Sequence, residues 1–255
     1  MLRLLPERLY AGLLGDGAWL ALGAKNQPFP ALASLQANAT PAESLDALLQ
    51  ACQAKRRGSK ISIMLSGQAA QCVSLPWSPH LRSSEERQAY ALAHLEQAGL
   101  GVGEGHIVHA EFRHYGARGF AYAVSHELLK QLHAVAASHS LELTTVLPIP
   151  AIAHLAARPA RAAGLELSLV IEDAAVSALA MDRAGLHLYD AEPAIGGKQA
   201  AMRRLLTRLA ASTAELKTIS ICALDDADSF ADAANSFSAQ VMVTCVKPHQ
   251  WRRYL

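Results

Sequence analysis

Residues 165–212 read LELSLVIEDAAVSALAMDRAGLHLYDAEPAIGGKQAAMRRLLTRLAAS. Apolar stretches at 165–173, 175–185 and 186–195 follow one another with only short polar breaks. They predict an antiparallel meander of three strands. A helix follows from Lys198. Beyond it, LKTISICAL (216–224), DADSFADAANSF (226–237) and AQVMVTCV (239–246) predict strand, helix and strand.

The same order is legible at the other end of the chain. LRLL (2–5), RLYAGLLG (8–15) and AWLALGAK (18–25) are strand-like, separated by Pro6-Glu7 and by Gly15-Asp16-Gly17. Asp-Gly between apolar runs signals a hairpin. A polar linker is expected up to Thr40. TPAESLDALLQACQAKRRG (40–58) carries helix signals at both ends: Thr40 as cap, Pro41 in the first turn, Glu43 completing a capping box and Gly58 as stop. KISIMLSG (60–67) is then a buried-type strand. Meander, helix and strand thus occur twice, at 1–66 and 166–224, as a repeat of architecture with little sequence identity.

Between the copies lies a different pattern. QCVSLPW (71–77) is a strand ending at Pro76, and Ser83 with Glu86 caps a helix over 84–98. HIVHAEFRHY (106–115) and GFAYAVS (119–125) are strands joined through Gly116. Ser125 caps the helix HELLKQLHAVAASHS (126–140), and LELTTVLP (141–148) is a strand. This β-α-β-β-α-β order is that of a ferredoxin-like split unit, with both helices on one face of a four-stranded sheet. Trp77, where the first strand hands over to the helix, is read as an anchor of that unit or as part of a partner-binding groove. The expected division is a first lobe over 1–70, rejoined by a helix at about 149–164; an inserted unit over 71–148; and a second lobe over 165–255.

Apolar residues make up 51% of the 255 and charged residues 18%, enough for a substantial core and against disorder. A net charge of +1 argues against a protein that coats nucleic acid. Cys52, Cys72, Cys222 and Cys245 are far apart, each in an apolar run, as small buried hydrophobes of a reducing compartment would be. The amino-terminal stretch is apolar but carries Arg3, Glu7, Arg8 and Asp16 and is broken by Pro6. No window approaches the roughly 18 uncharged apolar residues of a membrane span. A cytoplasmic protein is expected.

Two such units with a cleft between them are the plan of the actin-like ATPases. LPWSP (75–79) with SSEERQAYALAHLEQ (83–97), the stretch 122–157 and the stretch 167–205 resemble the PilM family of type IV pilus assembly. They resemble equally the cytoplasmic domain of the type II secretion protein GspL. The resemblance implies an α/β, actin-like (RNase H-like) duplicated two-lobed fold with an inserted βαββαβ subdomain. It implies a scaffold beneath an inner-membrane pilus or secretion platform. Its partner would be the cytoplasmic tail of a membrane protein or the assembly ATPase, with no nucleic acid and membrane association only through partners. GspL proteins continue into a membrane helix, so a chain that stops at Leu255 is expected to be the PilM form unless it is a piece of a longer protein.

The resemblance raises the question of ATP. In actin-like ATPases two hairpin turns, one per lobe, hold the phosphates, and glycine is needed where backbone N–H groups approach closely. The first turn, taken as LLPERLY (4–10), offers Pro6 and Glu7. The second, VIEDAAVSAL (170–179), offers Glu172 and Asp173 as Mg²⁺ ligands but has Ala174 and Ala175 where glycines are expected. Asp225 and Asp226 disfavour an anion at the adenosine loop. Gly196 and Gly197 remain, with Lys198 at a helix start where phosphate would be favoured. A degenerate nucleotide cleft of Glu172, Asp173, Gly196, Gly197 and Lys198 follows, with no cofactor favoured and no catalysis. The alternative from another class is a nucleotide-binding ATPase or phosphotransferase.

Other chemistry finds less support. His106, His109 and His114 do not share one strand face, and His126 and His133 are two helical turns apart. Ser66-Gly67 lacks the leading glycine of a hydrolase elbow. The acidic run at Asp225, Asp226, Asp228 and Asp232 suits a helix start. The terminal WRRYL could dock on a partner or pack.

Overall fold

The computed structural model describes residues 8–15, 17–22, 31–36, 40–52, 59–157, 164–210, 216–223, 228–235 and 242–245. The first lobe opens with β1 (Arg8–Leu13), β2 (Gly17–Leu22), β3 (Ala31–Gln36), α1 (Pro41–Ala51) and β4 (Lys60–Leu65). A single 3-10 turn, Gly67–Ala69, follows. Next come β5 (Ala70–Leu75), α2 (Ser84–Gln97), β6 (His106–Glu111), β7 (Gly119–Ser125), α3 (His126–Ser138), β8 (Glu142–Pro148) and α4 (Ile149–Ala156). The second lobe holds β9 (Leu165–Ile171), β10 (Ala175–Asp182), β11 (Gly185–Pro193), α5 (Lys198–Ala210), β12 (Leu216–Ala223), α6 (Asp228–Asn235) and β13 (Met242–Cys245).

The duplication is visible in the sheets. One runs β3-β2-β1-β4-β8 and the other β11-β10-β9-β12-β13. In each, a hairpin meander is antiparallel and the later strands add in parallel, as β4 on β1 and β12 on β9. The expected helix signals are present. Thr40 and Glu43 exchange bonds, as do Ser83 and Glu86, and Ser125 accepts from the Leu128 N–H.

Three expectations need correction. First, the third strand of the leading meander is β3, within the stretch read as polar linker; its register on β2 pairs Ala18 with Leu35. LRLL at 2–5 lies outside the described residues. Second, the turn between β1 and β2 is at Leu14–Gly17, closed by the Leu14 N–H donating to Gly17 O at 2.8 Å; it is not LLPERLY. Third, the β-α-β-β-α-β order holds, but the intervening sheet has three strands, β5-β7-β6. The expected fourth, β8, lies parallel to β4 in the first lobe.

Helix α3, which precedes β8, packs with it in the first lobe. Its buried Leu132 and Ala136 join the first lobe's core with Leu45, Leu48 and Leu49 of α1. Helix α2 covers the small sheet, placing Ala91 against Leu75 and Ala121, and Leu95 against Ala123. The largest apolar cluster does not stop at the first lobe. It takes in Phe120 and Cys72 of the small sheet and Val170, Leu179, Met181, Leu186 and Cys222 of the second lobe. A separate cluster, led by Leu167, Leu169, Met202, Leu205 and Ile221, forms the second lobe's own interior. The lobes therefore share a dry seam, and burial of apolar surface on this scale is the main force holding them together.

Candidate functional site

The two hairpin turns, one from each lobe, meet at the end of this seam. A Cβ placed on Gly15 of the first turn would sit 3.2 Å from the Ala174 Cβ of the second. Gln68, just after β4, donates through Nε2 to Ala174 O at 3.2 Å. The same carbonyl accepts from the Ala194 N–H at 2.9 Å. The corrected first turn thus has glycines, Gly15 and Gly17, as a phosphate cradle would. The glycine at 15 allows contact with the opposite lobe.

Glu172 lies 2% exposed between the lobes. Its carboxylate accepts from the Gly67 N–H with both oxygens at 3.0 Å and from the Ser66 hydroxyl. The amino end of a short helical turn is an anion site, and here the chain's own carboxylate fills it. The approach is close: a Cβ on Gly67 would come within 2.8 Å of Glu172 Oε2 and 3.0 Å of Pro150 Cγ. Burial raises the Glu172 carboxyl to about 7. The Gly67 N–H and Ser66 hydroxyl pull it down, and the Asp173 charge adds to the rise. Cys72, Tyr189 and Ser177 lie in the same interior. Burial pushes up the Cys72 thiol and the Tyr189 hydroxyl, and the Ser177 and Tyr189 hydroxyls are 3.4 Å apart.

Asp173 is ion-paired with Lys198 at the start of α5. Gly196 and Gly197 precede it with φ of 77° and 97°, the left-handed region in which glycine is unstrained. The Gly197 N–H donates to Ala194 O at 2.9 Å and Gly197 O accepts from the Ala201 N–H at 3.0 Å, so the pair makes a tight entry into the helix. Glu172, Asp173, Gly196, Gly197 and Lys198 do lie around one end of the second lobe. Pro6, Glu7, Asp225 and Asp226 fall outside the described residues. Sequence reasoning missed Ser66, Gly67 and Gln68 as cleft residues, although Ser66-Gly67 stood out as a local motif.

A second concave region lies where the first lobe meets the small sheet. β8 and β6 are both edge strands. Between them is a groove of about 200 Å³, lined among others by Ile107, His109, Tyr122, Leu129, His133 and Val146. Ile107 is 44% exposed, one of few large apolar side chains so placed. Trp77 does not line it. Its ring is 5.5 Å from Phe112 and 5.0 Å from Tyr115, both edge-on; it braces the β6–β7 connection. His109 of β6 and His133 of α3 both line the groove, a grouping no local spacing could reveal. No cluster of three His, Cys, Asp or Glu among the described residues could hold a metal.

Two mixed sheets of one topology, joined by a seam with a hairpin turn from each side, decide the architecture. The fold is actin-like. Solved structures agree. A Bacteroides thetaiotaomicron protein of actin-like ATPase fold and unknown function matches at TM-score 0.64 and 12% identity, over 93% of this chain and 90% of that one. The PilM–PilN type IV pilus biogenesis complex matches at 0.61 and 13%, over 96% and 89%. The cytoplasmic domain of EpsL, an inner-membrane component of the Vibrio cholerae type II secretion system, matches at 0.52 and 15%, over 86% and 82%. At these identities the likeness is one of fold. No protein-family model and no curated protein matches the sequence. No helix among the described residues is long and apolar enough to cross a membrane.

Proposed function

We propose that this actin-like chain is a non-enzymatic scaffold of an inner-membrane pilus or secretion platform, acting at its cytoplasmic face. It would hold the cytoplasmic tail of a membrane protein in the groove between β6 and β8. The observation that carries the reading is the contrast between filled seam and open groove. An extended tail can add to either strand edge, both unpaired among the described residues, while its side chains enter a trough of mixed apolar and polar lining. Ile107 supplies an anchor already at the surface.

The residues at the seam do not suit a nucleotide triphosphate. Gly15 lies against Ala174, the Gly67 N–H is taken by Glu172, and Lys198 is paired with Asp173. Phosphates would have to displace three sets of internal contacts and approach two carboxylates. This supports the reading without catalysis over an ATPase or phosphotransferase, and no cofactor is assigned. The titles of two solved structures of this fold, a PilM–PilN complex and an inner-membrane secretion component, lend further support to a partner of this kind.

The test is capture from detergent-solubilised membranes of the native cell. A membrane protein retained by the wild-type chain and by Ile195→Glu, at an exposed site elsewhere, but lost with Ile107→Glu is the expected result. Equal capture by Ile107→Glu, or no membrane protein captured at all, contradicts the groove as the site.

A further inference from the structure

A strand connection, a hairpin and a helix close around another cavity, of about 230 Å³. The β6–β7 connection at 113–118 forms one wall, the β10–β11 hairpin at Arg183–Gly185 another, and His154 of α4 a third. It shares no lining residue with the groove between β6 and β8. The junction is firmly made. The Arg118 N–H donates to Ala184 O at 3.0 Å, and Gly185, at φ 109°, leaves only 2.9 Å between a Cβ position and Arg118 O.

The lining is cationic. Arg113, Arg118 and Arg183 contribute to it with His114, and no carboxylate is among the lining residues. The nearby Asp182 accepts from the Ala184 N–H at 2.6 Å and lies 3.7 Å from His187. Arg113 is fixed through Nη1, which donates to the carbonyls of His154, at 3.1 Å, and of Ala157. Arg118 is held by the His187 ring nitrogen Nδ1. These bonds orient two guanidinium groups without neutralising them, the arrangement that suits an oxyanion.

The second observation is His154 itself. It is 1% exposed, stacked on Phe120 at 5.2 Å. Neither ring nitrogen has a hydrogen-bond partner among the described residues. Burial, and then the Arg113 charge, hold its pKa down to about 4, so the ring is neutral and one nitrogen carries a proton. A buried N–H without an acceptor is uncommon in a folded protein and calls for a missing partner.

We propose that this cavity binds a small oxyanion, a phosphate or carboxylate group, which accepts from the His154 ring N–H and from the guanidinium groups of Arg113 and Arg118. Such a ligand would touch α4 and the β6–β7 connection of the small sheet, in a cavity whose other wall is the β10–β11 hairpin of the second lobe.

The experiment is a titration of the full chain followed by ¹⁵N NMR, with inorganic phosphate in one arm and an N-acetylated, C-amidated aspartyl peptide in the other. Both are referenced to chloride at equal ionic strength. Saturable shifts of the Gly116 and Gly185 amides and the His154 ring nitrogens are expected. Affinity should fall at least tenfold in Arg118→Gln, whose side chain is half-buried, and in His154→Phe, which keeps the stack on Phe120. Tighter binding of the peptide would identify an acidic group of a partner chain as the source; tighter binding of phosphate would identify a free ion. No saturable shift with either probe, or shifts of equal affinity in Arg118→Gln, would overturn the proposal.

Discussion

The seam between the lobes and the groove between β6 and β8 are both concave junctions of two sheets, but their polar groups are treated oppositely. At the seam, each hairpin turn is engaged by the other lobe: Gly15 by Ala174, the Gly67 N–H by Glu172, the Ala174 carbonyl by Gln68. At the groove, two strand edges and Ile107 face outward. The actin-like plan supplies a cleft in either case. Whether the cleft can take a ligand depends on whether the chain has already used its donors internally, which the fold alone does not fix.

The largest effect that would sharpen this contrast is on pH dependence. Glu172 titrates near 7 in the folded chain against an ordinary value of 4.5. Between those values the native state keeps a proton that the unfolded chain has lost. The stability this group contributes is therefore full below pH 4.5 and lost as pH rises through 7. At about 1.4 kcal/mol per pKa unit, the loss is about 3 kcal/mol. Urea unfolding of the wild type across that range should show it, and Glu172→Gln should flatten the profile. An unchanged profile in the variant would place the carboxyl in solvent and open the seam.

Next in size, Gly67→Ala forces a methyl against Glu172 and Pro150 and should cost about 2 kcal/mol in the same assay. Gly15→Ala meets the Ala174 methyl at 3.2 Å and, more loosely, Gln68 Oε1 at 3.6 Å, and should cost about 1 kcal/mol. If Gly15→Ala were neutral, the turns would not be in contact. Smallest of all, Ile107→Glu should alter stability by less than about 0.5 kcal/mol, as surface changes do, while abolishing membrane-partner capture.

The sequence discloses local features and leaves pairings hidden. The duplicated order and the capping boxes are short-range, set by periodicity, caps and turn chemistry, whereas the grouping of Glu172, Asp173, Gly196, Gly197 and Lys198 is implied by the resemblance to actin-like ATPases. β3 was illegible because Pro28 and Pro30 precede a run of small residues, and what makes it a strand is pairing with β2. β8 looked like a fourth strand of the small sheet because chain order does not say which edge a strand joins; its pairing with β4 decides. The placement of the first turn at LLPERLY followed from reading 2–5 as a strand, and it hid the real glycines. His154 sits in an apolar helix and drew no notice, since its isolation depends on what surrounds it in space.

We propose that the seam, filled by the chain's own groups, takes no nucleotide. The most direct test is to follow the backbone amides of Gly15, Gly67 and Ala174 by ¹⁵N NMR as millimolar Mg-ATP is added, in the Arg118→Gln variant, which weakens the other cationic pocket. All three signals are expected to stay in place. Saturable movement of the three together would contradict it.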